Sequence, residues 1–286
     1  MSKKVAIMQP LKYNINNKSI LVEVPIEQKY ESDSKNIILS NKENDITFSL
    51  PWYNRGFVSE DFLSDFEFKN MLEGISETVK HTIENELHIN TDGFSLEKYH
   101  NYVLSDDDHY KVVSKTRELY PRDFNFPIEK MIPKFEKMVG FNLTDCNEVT
   151  GEIQGIIIRI NRPNSNDYNP PHKDMYEDYD KGIYKCNFLN FWVPVAGVTD
   201  KSSLPLVESS HLIPENKVVR TKTKSIVGKN TYRVRFVKEW GGNSLIRSDV
   251  KYGQVLLFSP HLIHGLAVNE QDDVTRLALE FRLFKK

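Results

Sequence analysis

Arg276-Leu277-Ala278-Leu279-Glu280-Phe281-Arg282-Leu283 alternates strictly between two kinds of side chain. In an extended chain successive side chains point to opposite faces, so Leu277, Leu279, Phe281 and Leu283 share one side and Arg276, Ala278, Glu280 and Arg282 the other. The leucine face should pack on helices, and the other face should look into a barrel. Working upstream, residues 153–161, 184–195, 204–208, 232–237, Ser244–Arg247 and Gln254–Phe258 read as further strands. Gly, Pro, Asn and Asp turns separate them at fairly regular intervals, which predicts an antiparallel sandwich or barrel.

Residues 60–143 follow a different period. Phe62, Phe66, Phe68, Met71 and Leu72 recur at three-to-four spacing, and Ile75, Val79 and Ile83 continue the stripe, which predicts an amphipathic helix. Ser95 opens a second helical stretch with Lys98 where a capping box has Glu or Gln, so only half of that start signal is present. Residues 128–139 predict a short helix interrupted at Pro133. Ahead of these, residues 19–24, 36–40 and 45–50 look β-like and are placed along one edge of the main sheet. His81, His88, His100 and His109 lack ligand spacing and read as surface or packing residues. The class is mainly β with a helical N-terminal part. Residues 1–145 form an extension and helices that pack on the barrel, and residues 146–286 form the β core, together one structural unit.

Composition narrows the rest. A chain of 286 residues with 39% hydrophobic content, 13 Tyr and 16 Phe has ample material for a core. Its net charge of −2 gives no general attraction to nucleic acid or membrane. Cys146 and Cys186 have no metal-like spacing and make no disulfide framework, which points to a reducing cytoplasm. No run approaches a membrane span, and Met1-Ser2-Lys3-Lys4-Val5 is not followed by an apolar signal core. The expectation is a cytoplasmic protein with a small-molecule or carrier-linked substrate and no nucleic-acid or membrane partner. One tract departs from the charge balance. Between Lys217 and Arg247 nine Lys or Arg face a single acid, Glu239, a local positive field able to steer an anionic substrate.

The chemistry concentrates in Asn169-Pro170-Pro171-His172-Lys173-Asp174. Two residues apart on an extended segment, His172 and Asp174 fall on the same side, about 6.5 Å apart along the chain, where one metal ion can take both. The two prolines hold the approach extended. A third ligand must come from elsewhere, and Phe258-Ser259-Pro260-His261-Leu262-Ile263-His264-Gly265 offers two histidines pointing to opposite faces. Two His and one carboxylate with open positions is the arrangement of non-haem Fe(II) oxygenases. Arg276 follows His264 by 12 residues, with the turn-like Asn269-Glu270-Gln271-Asp272-Asp273 between them. An arginine inside an apolar barrel needs an anion, and its planar fork suits a carboxylate. Arg282 shares that face but lies about 20 Å further along an extended strand, so Arg276 is the one assigned to the site.

Taken in order, His172-x-Asp174, Leu189-Asn190-Phe191-Trp192-Val193-Pro194-Val195, Ser203-Leu204-Pro205-Leu206-Val207-Glu208-Ser209-Ser210-His211, His264-Gly265 and Arg276 resemble the phytanoyl-CoA dioxygenase-like branch of Fe(II)/2-oxoglutarate oxygenases. The third element departs from that family's Gly-x-Leu-x-Val-x-Pro-Gly-Ser-His segment, with Ser203 for the first Gly and Glu208-Ser209 for Pro-Gly. The resemblance covers roughly residues 150–286. It implies a double-stranded β-helix (a jelly-roll or cupin-like barrel) with Fe(II) held by His172, Asp174 and His264, the match to His-Gly favouring His264 over His261. It further implies that 2-oxoglutarate chelates the iron and pairs its distal carboxylate with Arg276. O2 then drives oxidation of a substrate C–H bond with release of succinate and CO2. Asn190 and Trp192, with Arg159 or Asn161, are candidates to line the co-substrate pocket. Tyr176 and Tyr179 stand where a substrate lid would be, and His211 reads as a residue hydrogen-bonding its turn. Related halogenases carry a small residue in place of the acid, so Asp174 favours hydroxylation over a halogenase or desaturase outcome. The reading from another class is a non-catalytic or isomerase-like β-barrel binding module.

Overall fold

The alternating C-terminal stretch is a ten-residue strand, Arg276–Lys285, at the centre of the largest sheet. The computed structural model describes residues 8–148, 150–179, 181–222, 226–227, 230–231, 235–242 and 244–286. In chain order the elements are β1 (Met8–Ile15), β2 (Lys18–Pro25), β3 (Tyr30–Glu31), β4 (Phe57–Asp61), α1 (Asp65–Leu87), α2 (Asp106–Lys115), α3 (Met131–Val139), β5 (Leu143–Thr144) and β6 (Ile157–Asn161). There follow α4 (Tyr176–Tyr179), β7 (Phe188–Ala196), β8 (Pro205–Leu206), β9 (Val219–Thr221), β10 (Ile226–Val227), β11 (Asn230–Thr231), β12 (Val237–Glu239), β13 (Ser244–Arg247), β14 (Gln254–Phe258) and β15 (Arg276–Lys285).

The main sheet runs β4-β14-β7-β15-β5, with β6 also paired to β15, and every pairing in it is antiparallel. Leu277, Leu279 and Leu283 are buried from the helical side, in one cluster with Met71, Ile75, Val79 and Ile83 of α1 and Phe135 of α3. Each such side chain taken fully out of water contributes about 1.5–3 kcal/mol. On the opposite face Ala278, Trp192, Leu256 and Phe258 meet Leu204, Leu206, Val250, Leu262 and Ala267. The second layer consists of β2-β1-β13-β8 and β12-β9-β3. Single bridges join these two groups: Leu206 to His264, His264 to His172, and His172 to Phe236. The fold is therefore mostly β, a curled antiparallel half-barrel with helices on one face, in a jelly-roll-like arrangement. No helix among the described residues is long and apolar enough to cross a membrane.

Several local expectations shift. Residues 19–24 do form a strand, but β1 carries that hairpin into the second layer by pairing in parallel with β13. The edge of the main sheet goes instead to β4. Residues 36–40 form no strand, and residues 45–50 hold a 3-10 turn, Ile46–Ser49, capped by Asp45 accepting from the Thr47 N–H at 2.9 Å. Phe66 is 73% exposed. It lies five residues before Met71, which at 100° per residue turns it away from the buried stripe. The complete capping box belongs to α1, where Glu67 accepts from the Ser64 N–H at 2.9 Å, whereas Ser95 makes no side-chain cap. Pro133 does not interrupt α3. It sits in the first turn, where the missing N–H has no intrahelical partner to lose. Strands 184–195 and 204–208 contract to β7 and β8, and residues 232–234 of the strand expected at 232–237 lie outside the described residues.

Two buried histidines away from the His172–Asp174–His264 group give the fold an acid limb. His109 lies between the Tyr99 hydroxyl (3.1 Å) and Asp167 (3.4 Å), and His211 packs edge-on against Tyr53 at 5.0 Å. Burial pushes both down to about 4. An unfolded-state histidine titrates near 6.5, so between about 6.5 and about 4 the unfolded chain binds protons that the fold refuses. Stability is then full above that window and falls as pH drops through it, by about 1.4 kcal/mol per pH unit for each histidine. Asp167 and Asp45, held low, release their contribution only below the ordinary carboxylate range. Urea titrations across this window should show the decline, and a His109→Gln protein should show a shallower one; equal slopes would remove His109 from the account.

Candidate metal centre

His172 and His264 come from segments with no long ladder of their own. They are directly opposed: the His172 N–H donates to the His264 carbonyl at 2.8 Å, and the His264 N–H returns a bond to His172 at 3.0 Å. Such a pair puts both side chains on the same side, and the ring centroids are 4.4 Å apart. Asp174 completes the group, its carboxylate 3.3 Å from His172 Nε2 and 3.6 Å from His264 Nε2. One ligand atom from each of the three falls within 4.8 Å of the others, and no other such group occurs among the described residues.

The donor set suits a divalent transition metal. Nδ1 of His172 lies 2.8 Å from the Pro170 carbonyl and Nδ1 of His264 lies 3.0 Å from the Leu262 carbonyl. A carbonyl only accepts, so each Nδ1 carries the proton and each Nε2 lone pair is free. Burial holds His264 down to about 4, keeping it neutral at pH 7 despite Asp174. Burial works against the Asp174 carboxylate, yet His264, Arg282 and His172 together outweigh it and hold Asp174 well below the usual range. The group thus offers a neutral His264 imidazole and an anionic Asp174 carboxylate, the protonation states metal binding requires, with the His172 ring beside them.

Arg282, which distance along the strand excludes from the site in the sequence, instead lies 3.4 Å from Asp174. The reason is sheet register. His264 packs on Phe258 (4.8 Å between rings), Phe258 pairs with Asn190, and Asn190 pairs with Arg282. The histidine group therefore sits at the level of Arg282. Arg276 lies further along the same face and is 2% exposed, its guanidinium 5.6 Å from the Trp192 ring centroid. Its one hydrogen bond is a long 3.4 Å contact to the Ala267 carbonyl, its Nε has no partner, and it makes no ion pair among the described residues. Glu280, the acid that acts on it, is bonded to Arg159 at 2.6 Å. Burial, with Arg159 and Arg247 adding to it, lowers Arg276 to about 9, still charged at neutral pH. Asn190 is buried with its amide nitrogen unpartnered, and Trp192 is fully buried.

The remaining candidates take other places. His261 turns away to Asp45 at 3.3 Å. The turn at residues 208–211 is held by serines: Ser210 Oγ accepts from the Ile263 N–H at 2.8 Å and Ser209 Oγ donates to the Asn54 carbonyl at 2.8 Å. Ser209 itself has φ 60°, a conformation natural to the glycine it replaces in the resembled segment. Asn161 donates to the Ala267 carbonyl. Tyr176 is buried on Glu215 and Tyr179 donates to Asp33, so neither forms an open lid. The basic tract is also less free than its sequence implies. Arg220, Arg235 and Arg247 turn to Glu215, Glu31 and Glu270, while Lys224, Lys229 and Arg233 lie outside the described residues.

No protein-family model matches the chain, and no curated protein matches it. Among solved structures it is similar to AviO1 from Streptomyces viridochromogenes Tue57, with 12% identity and a TM-score of 0.47 over 82% of this chain and 91% of that one. It is similar also to the non-heme monooxygenase ThoJ in its Ni complex (12% identity, TM-score 0.41, 82% and 75% of the two chains). A third is SnoN, a non-heme alpha ketoglutarate dependent epimerase from nogalamycin biosynthesis (13% identity, TM-score 0.40, 82% and 79%). Overlaps this loose assign no function.

Proposed function

We propose that the chain is an Fe(II)- and 2-oxoglutarate-dependent oxygenase of the phytanoyl-CoA dioxygenase-like kind, built on a double-stranded β-helix. His172, Asp174 and His264 hold the metal, and Arg276 receives the distal carboxylate of 2-oxoglutarate. The observation that carries this reading is the pairing of a three-ligand group, both Nε2 atoms turned to the Asp174 carboxylate, with a buried guanidinium that has no anionic partner among the described residues. The Arg276 side chain lies over Trp192 at 5.6 Å, and Trp192 is two residues, about 6.6 Å along β7, from Asn190 at the level of the metal group, a separation within reach of a five-carbon dicarboxylate. When bound, iron supplies activation of O2 with 2-oxoglutarate as the electron donor. The chain's own task is to orient co-substrate and substrate and to keep bulk water out. Asp174 fills the position a halide would need, which favours hydroxylation of a small or carrier-linked metabolite.

Fe(II) and 2-oxoglutarate added together without oxygen should give a weak visible charge-transfer band. Under air the protein should release succinate slowly even without substrate, with Asp174→Ala as the blank. Absence of both signals would leave a non-catalytic binding module.

A further inference from the structure

We infer that Lys173, Tyr176, Glu215 and Arg220 form a buried clamp that fixes which face of the His172–Asp174 segment meets the metal, an inference that rests on the metal reading above. Lys173 stands between the two ligands and is 2% exposed, its Nζ 2.6 Å from Glu215 Oε1. Glu215 is fully buried, and its other oxygen accepts from the Tyr176 hydroxyl at 2.7 Å and from Arg220 at 3.0 Å. The Arg220 guanidinium lies over the Tyr176 ring at 4.5 Å. One carboxylate thus ties the ligand segment, α4 and β9 together.

Buried ion pairs contribute little net stability, since desolvation offsets most of their attraction; what they supply in some proteins is register. This segment belongs to no strand and takes its register from scattered contacts: the paired bonds of His172 with His264, and single bonds from Val237 to Pro171, Leu266 to Asn169 and Met175 to Pro260. A slip of one residue would turn both ligands to the opposite face. Anchoring Lys173 to Glu215 forbids that slip, and alternation then sends His172 and Asp174 together to the other side. These four are positioning residues, because none belongs to the ligand group.

The test is titration of the purified full-length, metal-free protein with Co(II) alone, read by its visible absorption, beside thermal unfolding of the same samples. Lys173→Met removes the tether but leaves Glu215 balanced by Arg220, so no uncompensated charge remains. The expected result is Co(II) binding weakened about 10-fold, with an altered spectrum and an unfolding temperature equal to or above that of the parent protein. Tyr176→Phe removes a single hydroxyl and should weaken Co(II) binding less, in the same direction; it carries the test if Lys173→Met does not fold. Parent-like affinity and spectrum in the folded variant would overturn the clamp. A parent protein that takes up no Co(II) would overturn the metal reading, and the clamp with it.

Discussion

Arg276→Met is expected to make the ligand-free protein more stable and to weaken 2-oxoglutarate binding by about 30-fold or more. The two effects have one cause. The guanidinium is 2% exposed, makes one long hydrogen bond and has no anionic partner among the described residues. A buried cation in that condition costs stability, and an apolar side chain of similar length should recover about 1–3 kcal/mol. For a chain of 286 residues each kcal/mol is worth about 2 °C in unfolding temperature. Loss of one partner of a buried charge pair in a complex costs about 2–5 kcal/mol, which spans roughly 30-fold to several thousand-fold in affinity. Calorimetry on the metal-free protein and the 2-oxoglutarate dependence of succinate release measure the two halves. A variant that melts lower and keeps its 2-oxoglutarate affinity would make Arg276 a structural residue and withdraw the co-substrate assignment.

Gly265→Ala should have the opposite signature, losing stability and metal together. Gly265 follows His264 with φ 118°, which L side chains rarely adopt. A Cβ there would lie 2.7 Å from the Pro170 carbonyl oxygen and 3.1 Å from His172 Nδ1. That carbonyl is the acceptor that sets the His172 tautomer, at 2.8 Å. The methyl group therefore cannot enter without moving the bond that leaves Nε2 free. The strained backbone should cost about 1–3 kcal/mol, and disturbance of the orienting hydrogen bond about 10–100-fold in metal affinity. Leu266, also at positive φ (54°), shows that the backbone after His264 already holds an uncommon conformation. Paired measurements of Co(II) affinity and urea stability decide the matter; an alanine variant with parent-like metal binding would show that the loop yields elsewhere.

Much of the fold could be read in the chain because it rests on short periods. Alternation from Arg276 to Leu283 specifies a strand and both its faces, and the Met71, Ile75, Val79 and Ile83 stripe specifies a helix against one of them. An apolar residue off the period, such as the exposed Phe66, does not belong to the buried stripe. The His-x-Asp spacing likewise states that two ligand types share a face, since period two is a local property. The level of Arg282 was not legible, because it depends on the pairing of Phe258 with Asn190 and of Asn190 with Arg282 across three strands. Nor was the clamp: nothing around Lys173 in sequence announces Glu215, 42 residues on.

By itself the sequence determined the elements and the chemical types available, since backbone geometry and hydrophobic period act within a few residues. It also placed His172 beside Asp174 and alternated the faces of the last strand. Only the tertiary structure decided which distant groups meet: His264 opposite His172, Arg282 beside Asp174, Arg276 with no anion among the described residues, and Arg220, Arg235 and Arg247 turned onto remote acids. The physical reason is that burial, ion pairing and register between strands are properties of closed loops of contacts. A residue's neighbours across such a loop leave no mark on the residues beside it in the chain.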